Sequence, residues 1–266
     1  MTDLRIFGDD FTDVAGIKAQ DSDGNEYIYE IGGVSANDIA NATLWKNITI
    51  TVPTVKTYTF VGTDIENVVL DGVSIIEPYA FSNCKSLKSV SVINTDRLAV
   101  QGFVFQGCSS LETFAHPYYT TVGERDFNGC EKLKSYFVFD GNGIWTETFK
   151  GCKELLGVDC GTRMSGTRAN MFNGCTSLST LILRNYSVCA LVNVSAFTNT
   201  PFASGKAGGD IYIPQYLYDH LGDGTALDYQ SATNWSTIHG YGTITWHAIE
   251  GSQYENYYAD GTEITS

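Results

Sequence analysis

One ten-residue phrase recurs five times at nearly constant spacing, and it limits the folds open to this chain more than any other feature. It reads FSNCKSLKSV at 81–90, FQGCSSLETF at 105–114, FNGCEKLKSY at 127–136, FKGCKELLGV at 149–158 and FNGCTSLSTL at 172–181. The leading phenylalanines stand 24, 22, 22 and 23 residues apart. A sixth, worn copy is AFTNTP at 196–201, with Phe197 placed 25 residues after Phe172 and Thr200 where a cysteine is due. Such repetition marks a stacked array: one unit cannot bury its apolar side alone, so each leans on its neighbours.

Alignment on the phenylalanine shows what each unit builds. Five residues earlier stand Ile76, Val100, Val122, Ile144, Thr167 and Val192, apolar in five of six. Three residues later comes Cys84, Cys108, Cys130, Cys152 or Cys175, and six later Leu87, Leu111, Leu133, Leu155 or Leu178. Apolar alternation follows, as in Val90–Val92, Tyr136–Val138 and Leu181–Leu183. Alternation of period two marks a strand with one buried face. The expected fold is therefore a leucine-rich repeat β-solenoid with a parallel sheet, one short strand per coil of 22–25 residues, closed by a cap at each end.

The cysteine column admits three explanations. Equivalent residues of stacked coils lie about 4.8 Å apart, which draws the five cysteines into a line about 20 Å long. Tetrahedral zinc needs its sulfurs gathered around one point, which a line does not supply. Neighbouring cysteines come within disulfide range, yet five is an odd number and in-register side chains point the same way. Cysteine is small and among the most buried residue types, so a packing column is the favoured reading. Cys160, at an inward strand position, and Cys189 read as small core residues.

The totals exclude several function classes. The 266 residues carry a net charge of −14. A nucleic-acid binder needs a positive footprint, and so does a protein docking on anionic lipid. No apolar run is long enough to span a membrane. The first ten residues, MTDLRIFGDD, lack a signal-peptide pattern. Five N-x-S/T matches, at Asn41, Asn47, Asn185, Asn193 and Asn234, read as chance in a chain rich in these residues.

The unit apolar-x-x-x-A/x-F-x-G/N-C-x-x-L-x-x-apolar-x-apolar resembles the BspA-like leucine-rich repeats of bacterial surface proteins, gut bacteria and their phages, and some protozoan parasites. The match covers about residues 65–200. The stretches 180–191, 196–202, 210–219 and 231–238 resemble the closing segment of such arrays, with the link between its YIP and ATNW elements lengthened here by LGDGTALD at 221–228. The resemblance implies adhesion or recognition and no catalysis, and it names no ligand.

Four regions are expected. Residues 1–60 form a β-rich N-terminal cap or small domain, 61–205 the repeats, 206–250 a mixed α/β C-terminal cap and 251–266 a polar, tyrosine-rich tail. In the first, residues 17–31 read as two strands around a turn, and Asp21–Glu26 is that turn, since it lacks the twelve-residue ligand series of a calcium loop. Residues 36–45 read as a short helix, and 47–52 and 56–61 as strands. In the third, 210–213 reads as a strand, 214–221 and 229–238 as short helices, and 242–249 as a strand. The tail reads as a hairpin turning at Asp260-Gly261 or a segment that pairs with a partner.

No nucleotide-binding, metalloprotease, nucleophile-elbow or C-x-x-C motif occurs. His116 reads as a core-edge histidine, and Glu124, Glu147, Glu154 and Asp159 offer carboxylates of the kind any acidic chain has. No enzyme, cofactor or metal is expected. The outward sheet face is more informative. Alternation sets Ser91, Ala115, Phe137, Asp159 and Ile182 in one outward column and Ile93, Pro117, Phe139, Gly161 and Arg184 in the next. Phe137 and Phe139, with Tyr118 and Tyr119 on the adjoining loop and Asp159 and Arg184 beside them, are the candidate binding residues. Exposed aromatic patches mark interaction sites, and the alternative is that a cap or a partner subunit covers them.

The resulting expectation is a non-catalytic module that binds a cell-surface protein or glycan, with no nucleic acid and no membrane span. It acts on a virion (phage tail) or a cell surface, the missing signal peptide tilting this toward the virion. The alternative is a structural or assembly protein with the solenoid as a rigid spacer and a homo-oligomer as its working unit.

Overall fold

The computed structural model describes residues 17–20, 26–29, 46–116, 119–137, 145–162, 164, 166–191, 193–203, 206, 208–233, 235 and 244–255, with only the backbone at 17–20, 26–29, 119 and 135–137. The alternating segments become the main sheet of a solenoid. Its strands are β3 (Asn47–Ile50), β5 (Asn67–Asp71), β7 (Ser89–Ile93) and β9 (Thr113–Ala115), then β11 (Ser135–Phe137), β12 (Gly157–Asp159), β14 (Thr180–Ile182), β16 (Gly209–Ile213) and β17 (Ile244–Ala248). All pair in parallel, in one ladder from β3 to β9 and a second from β11 to β17. Register brings Val68, Val90 and Phe114 into one inward column and Val158, Leu181, Ile211 and Trp246 into its continuation. The antiparallel hairpin β1 (Ile17–Gln20) and β2 (Glu26–Tyr29) pairs with β3 and closes the first edge.

Most coils also carry a second strand, ending five or six residues before the phenylalanine. These are β4 (Thr54–Val55), β6 (Ile75–Ile76), β8 (Arg97–Val100) and β10 (Tyr119–Thr121), then β13 (Gly166–Thr167) and β15 (Ala190–Leu191), again parallel. The two sheets enclose a single core, because one face of each strand is apolar.

The parallel stacking starts earlier than the five clear copies reveal. FVGTDI at 60–65 is another copy with Thr63 in the cysteine place, and residues 56–61, expected as a strand, form its turn. Phe60, Phe81, Phe105, Phe127, Phe149, Phe172 and Phe197 stack face to face, with ring centroids 5.0–5.9 Å apart. Each such ring, fully buried, contributes about 1.5–3 kcal/mol. The column ends against Phe202 and Trp235, and Trp235, Tyr229 and Trp246 pack together as the C-terminal plug.

The turn around each phenylalanine is itself a ladder. The Phe N–H of one coil donates to the next coil, as from Phe105 to Asp126 O (2.9 Å), and so does the residue two later, as from Gly107 to Asn128 O (2.7 Å). That later residue is Gly62, Asn83, Gly107, Gly129, Gly151, Gly174 or Asn199, and every one has φ between 58° and 83°. The glycine or asparagine before each cysteine is thus set by a left-handed backbone that other residues enter at a cost.

The expected strand at 242–249 is β17, and helix α1 (Gln215–Tyr218) follows Pro214 as expected for 214–221. The helix read at 36–45 and the hairpin at 260–261 lie outside the described residues, and of the helix read at 229–238 the first five residues, 229–233, are turns and a bend, with Trp235 helical. No helix among the described residues is long and apolar enough to cross a membrane.

Candidate functional site

The cysteine column is buried packing with a second role. Each thiol donates to the phenylalanine carbonyl one coil back: Cys84 to Phe60 O (2.9 Å), Cys108 to Phe81 O (3.1 Å), Cys130 to Phe105 O (3.2 Å), Cys152 to Phe127 O (3.1 Å) and Cys175 to Phe149 O (2.9 Å). Burial pushes the thiols of Cys108, Cys130 and Cys152 up, which keeps them protonated and able to donate. Protonated, buried thiols are poor nucleophiles, which favours a packing role at these three positions. Cys160 and Cys189 are buried core residues, and burial raises Cys189 to about 12.

The structure separates the residues expected to form the outward site. Phe137 is the last residue of β11, in register with Asp159, and its side chain lies outside the described residues, as do Phe139 and Tyr118 altogether. Tyr119 was expected on a loop adjoining Phe137. It instead opens β10, a strand of the second sheet, in register with Arg97. Asp159, expected outward and open, is 1% exposed. Its carboxylate accepts from Arg184 Nε at 2.7 Å and from Gly161 N at 3.0 Å. Burial raises its pKa and Arg184 opposes that shift. Ile182 and Gly161, also expected outward, are buried too, while Gly157 and Thr180 at the start of β12 and β14 on the same face are half-buried. Arg184 is 13% exposed and spends a second bond on the backbone of Tyr254. The earlier half of the face is open: Ile93 and Ala115 are exposed and Ser91 half-buried. His116 is half-buried with its ring on Phe114.

A different array of side chains runs along the turn corner, two residues before each core phenylalanine. It comprises Tyr58, Tyr79, Phe103, Arg125, Glu147 and Asn170, all with φ between 53° and 62°. Tyr58 stacks on Tyr79 at 5.1 Å and Tyr79 on Phe103 at 4.8 Å. The Arg125 guanidinium lies 5.4 Å from the Phe103 ring centre and donates to Glu147 Oε2 at 2.7 Å. Asn170 continues the line by donating to Glu147 Oε1 at 3.4 Å. Lys150 and Arg125 hold the Glu147 carboxyl low against its burial. Tyr58 is 43% exposed, while Tyr79 and Phe103 are half-buried. The sequence carried the signal in the aromatic residues Tyr79 and Phe103, one period apart. What hid it was the unrecognised copy at Phe60, which supplies Tyr58.

This position contrasts with its sister on the other side of the phenylalanine. Both are left-handed, yet the later one takes only glycine or asparagine, and the earlier one takes no glycine and a single asparagine. A side chain there costs roughly 1–2 kcal/mol of backbone strain. The arrangement offers ring edges, tyrosine hydroxyls and one guanidinium along a rigid line. It offers no nucleophile–base pair, and among the described residues no group of three His, Cys, Asp or Glu is placed to hold a metal.

The family comparison agrees with this architecture. The family model for the BspA type leucine rich repeat region matches at residues 53–179 and 99–220, in 6 copies, together more than half of the 266 residues. Similar crystal structures include a leucine-rich repeat protein from Bacteroides ovatus, at 20% identity and TM-score 0.47 over 74% of this chain and 46% of that one. Another is the leucine rich repeat protein of T. pallidum, at 22% identity and TM-score 0.45 over 59% and 84%. A third is a leucine rich cell surface protein from Faecalibacterium prausnitzii, at 15% identity and TM-score 0.40 over 77% and 70%. The chain thus spans less than half the length of the Bacteroides ovatus protein. No curated protein matches it.

Proposed function

The chain belongs to the BspA-type leucine-rich repeat family, and from that premise we propose that it is a non-catalytic recognition module whose solenoid presents side chains to a cell-surface protein or glycan. The single observation that carries this reading is the turn corner. Bulky side chains are kept at Tyr58, Tyr79 and Phe103 in a backbone conformation that favours glycine and asparagine. Strained backbone concentrates where function holds it in place. Partly exposed aromatic residues on a rigid scaffold are the usual anchors of an interface. The module acts on a cell surface or a phage tail, where a stiff array of stacked coils suits repeated contact with a large partner.

The test is the double variant Tyr79→Asn/Phe103→Asn, assayed for binding to whole bacterial and host cells and to a glycan array. Asparagine fits the left-handed backbone, so stability holds within about 1 kcal/mol while binding is lost. Unchanged binding would remove the turn corner from the site. A large loss of stability would make the ladder a structural device.

The second reading, a rigid spacer or assembly element, rests on the charge ladder along one edge. Lys46, Glu66, Lys88, Glu112 and Lys134 alternate in sign on successive coils, with ion pairs linking Glu66 to Lys46 and Lys88, and Lys134 to Glu112 at 3.1 Å. Such exposed pairs contribute little each but penalise slipped stacking. Sedimentation over a range of concentrations, showing a stable oligomer, would favour this reading.

A further inference from the structure

Most coils enter the phenylalanine turn through the same local backbone bond. The amides of Thr59, Ala80, Thr148, Met171 and Ala196, one residue before the core phenylalanine, each donate to the carbonyl three residues earlier in their own coil, at 3.0–3.3 Å. Val104 departs from this rule: its N–H donates to Asp126 Oδ1, one coil on, at 3.0 Å. Asp126 occupies the same position of its own coil and is fully buried. Its Oδ2 accepts from Gly123 N at 2.5 Å, and a bond from the Gly102 amide also favours its charge. The carboxylate thus holds the amides on both sides of Phe103, the ring that lies between Tyr79 and Arg125 at the turn corner.

The two coils have no slack at this point. Gly102 is left-handed, with φ +83°, and a Cβ on Gly123 would lie 2.3 Å from Gly102 N and 2.7 Å from Gly102 Cα. A change in the bonds of Asp126 is therefore passed to the 102–104 bend rather than absorbed. Burial raises the Asp126 pKa to about 7, against the pull of its backbone donors. The 101–104 turn brings no ionisable side chain against it. Its own turn brings Cys130, whose thiol burial keeps protonated, together with the exposed Glu124 and the partly exposed Arg125. The next turn brings Glu147, whose burial is outweighed by Lys150 and Arg125, which hold it low.

We propose that Asp126 is a positioning residue for the turn corner: its carboxylate clamps the bend around Phe103, and taking up a proton releases Val104 and shifts Phe103 out of line with Tyr79 and Arg125. Acid thereby weakens recognition through the corner, a consequence that rests on reading the corner as the binding site, whereas the clamp does not. A carboxylic acid places an O–H where the carboxylate offered lone pairs, and an O–H facing an amide N–H cannot accept from it. The shorter bond, to Gly123 N within the same turn, is the one that persists. The proton therefore goes to Oδ1, and Val104 N turns to the Gln101 carbonyl, as the equivalent amides of five other coils do. Phe103 is in line with its neighbours above about pH 7 and displaced below it.

Fluorine NMR of the full chain, with 4-fluorophenylalanine at position 103 alone, reads the clamp. Its resonance is expected to titrate with a midpoint of about pH 7, and the same label at position 172 to stay still. Asp126→Asn, neutral at every pH, is expected to hold the Phe103 resonance at its acidic position throughout. His116 remains in that variant, so a response of its making would persist. A Phe103 resonance that ignores pH, that moves together with the one at Phe172, or that still titrates in Asp126→Asn overturns the clamp. The first two readings need only the parent chain, should the variant fail to fold. Whole-cell binding judges the regulation. The parent is expected to bind about tenfold more weakly at pH 6 than at pH 8, following the ionised fraction, and Asp126→Asn to bind equally at both. A titrating Phe103 with pH-independent binding overturns the regulation and leaves the clamp. Binding absent at both pH values overturns the recognition reading and the regulation with it, and the fluorine signal still judges the clamp.

Discussion

The Cys130 thiol and the Phe105 carbonyl meet at 3.2 Å across two coils. The same carbonyl accepts the Cys108 N–H at 3.1 Å. One oxygen therefore joins the turn of its own coil to the side chain of the next. This repeats from Phe81 to Phe149, and it explains why a thiol rather than any small apolar group recurs there.

Replacing Cys130 is predicted to show that donor. The sequence alone implies that serine would bring an unpartnered hydroxyl at about 1–3 kcal/mol. With Phe105 O in reach, Cys130→Ser keeps a hydrogen bond and costs about 1 kcal/mol. Cys130→Ala loses the donor and leaves a small void, at about 2 kcal/mol. Urea unfolding of both variants checks the order, and serine falling below alanine in stability would refute it.

All 7 cysteines are free and buried. Thiol titration after unfolding without reductant should count about seven. In the native state the same reagent should react slowly, because the thiols are buried and several are pushed above their ordinary pKa. Three or fewer titratable thiols would contradict the hydrogen-bonded column.

Gly129→Ala tests the turn ladder. Its φ is +79°, and the added Cβ would sit 3.6 Å from Gly107 Cα, an ordinary contact. The penalty then comes from the backbone, about 1–2 kcal/mol. A drop in thermal midpoint of a few degrees is the expected outcome.

Asp126 makes stability depend on pH. It is fully buried, accepts from Val104 N at 3.0 Å and Gly123 N at 2.5 Å, and has its pKa raised by burial to about 7. Below about pH 4 the group is protonated in both folded and unfolded chains and has no effect on pH dependence. As pH rises toward 7 the unfolded chain releases the proton first, so the folded state loses a few kcal/mol of this contribution. Stability of the parent relative to Asp126→Asn should fall between pH 4 and 7 and level off above. Parallel curves would show that the backbone donors offset the burial.

Phe137→Ala/Phe139→Ala separates the two candidate surfaces. If the turn corner carries recognition, this variant keeps whole-cell and glycan binding that Tyr79→Asn/Phe103→Asn loses. The reverse pattern would move the site to the sheet face.

The repeat sequence by itself determined the solenoid. A period near 23 residues with Phe, Cys and Leu in fixed register leaves one way to bury them, stacked coil on coil. It also determined which strand residues face inward, since alternation admits two registers and only one buries Val90, Phe114 and Leu181. Three features were decided in the tertiary structure. Asp159 points outward by register yet is buried, because Arg184 comes from 25 residues away and Tyr254 from beyond the last strand. The thiol donors exist only once a neighbouring coil brings a carbonyl within reach. The left-handed corner that sets Tyr58 against Tyr79 and Phe103 is a property of stacked turns, visible only when φ is known. Local pattern fixes what a coil must bury, and contacts between distant coils fix which of its outward groups remain free.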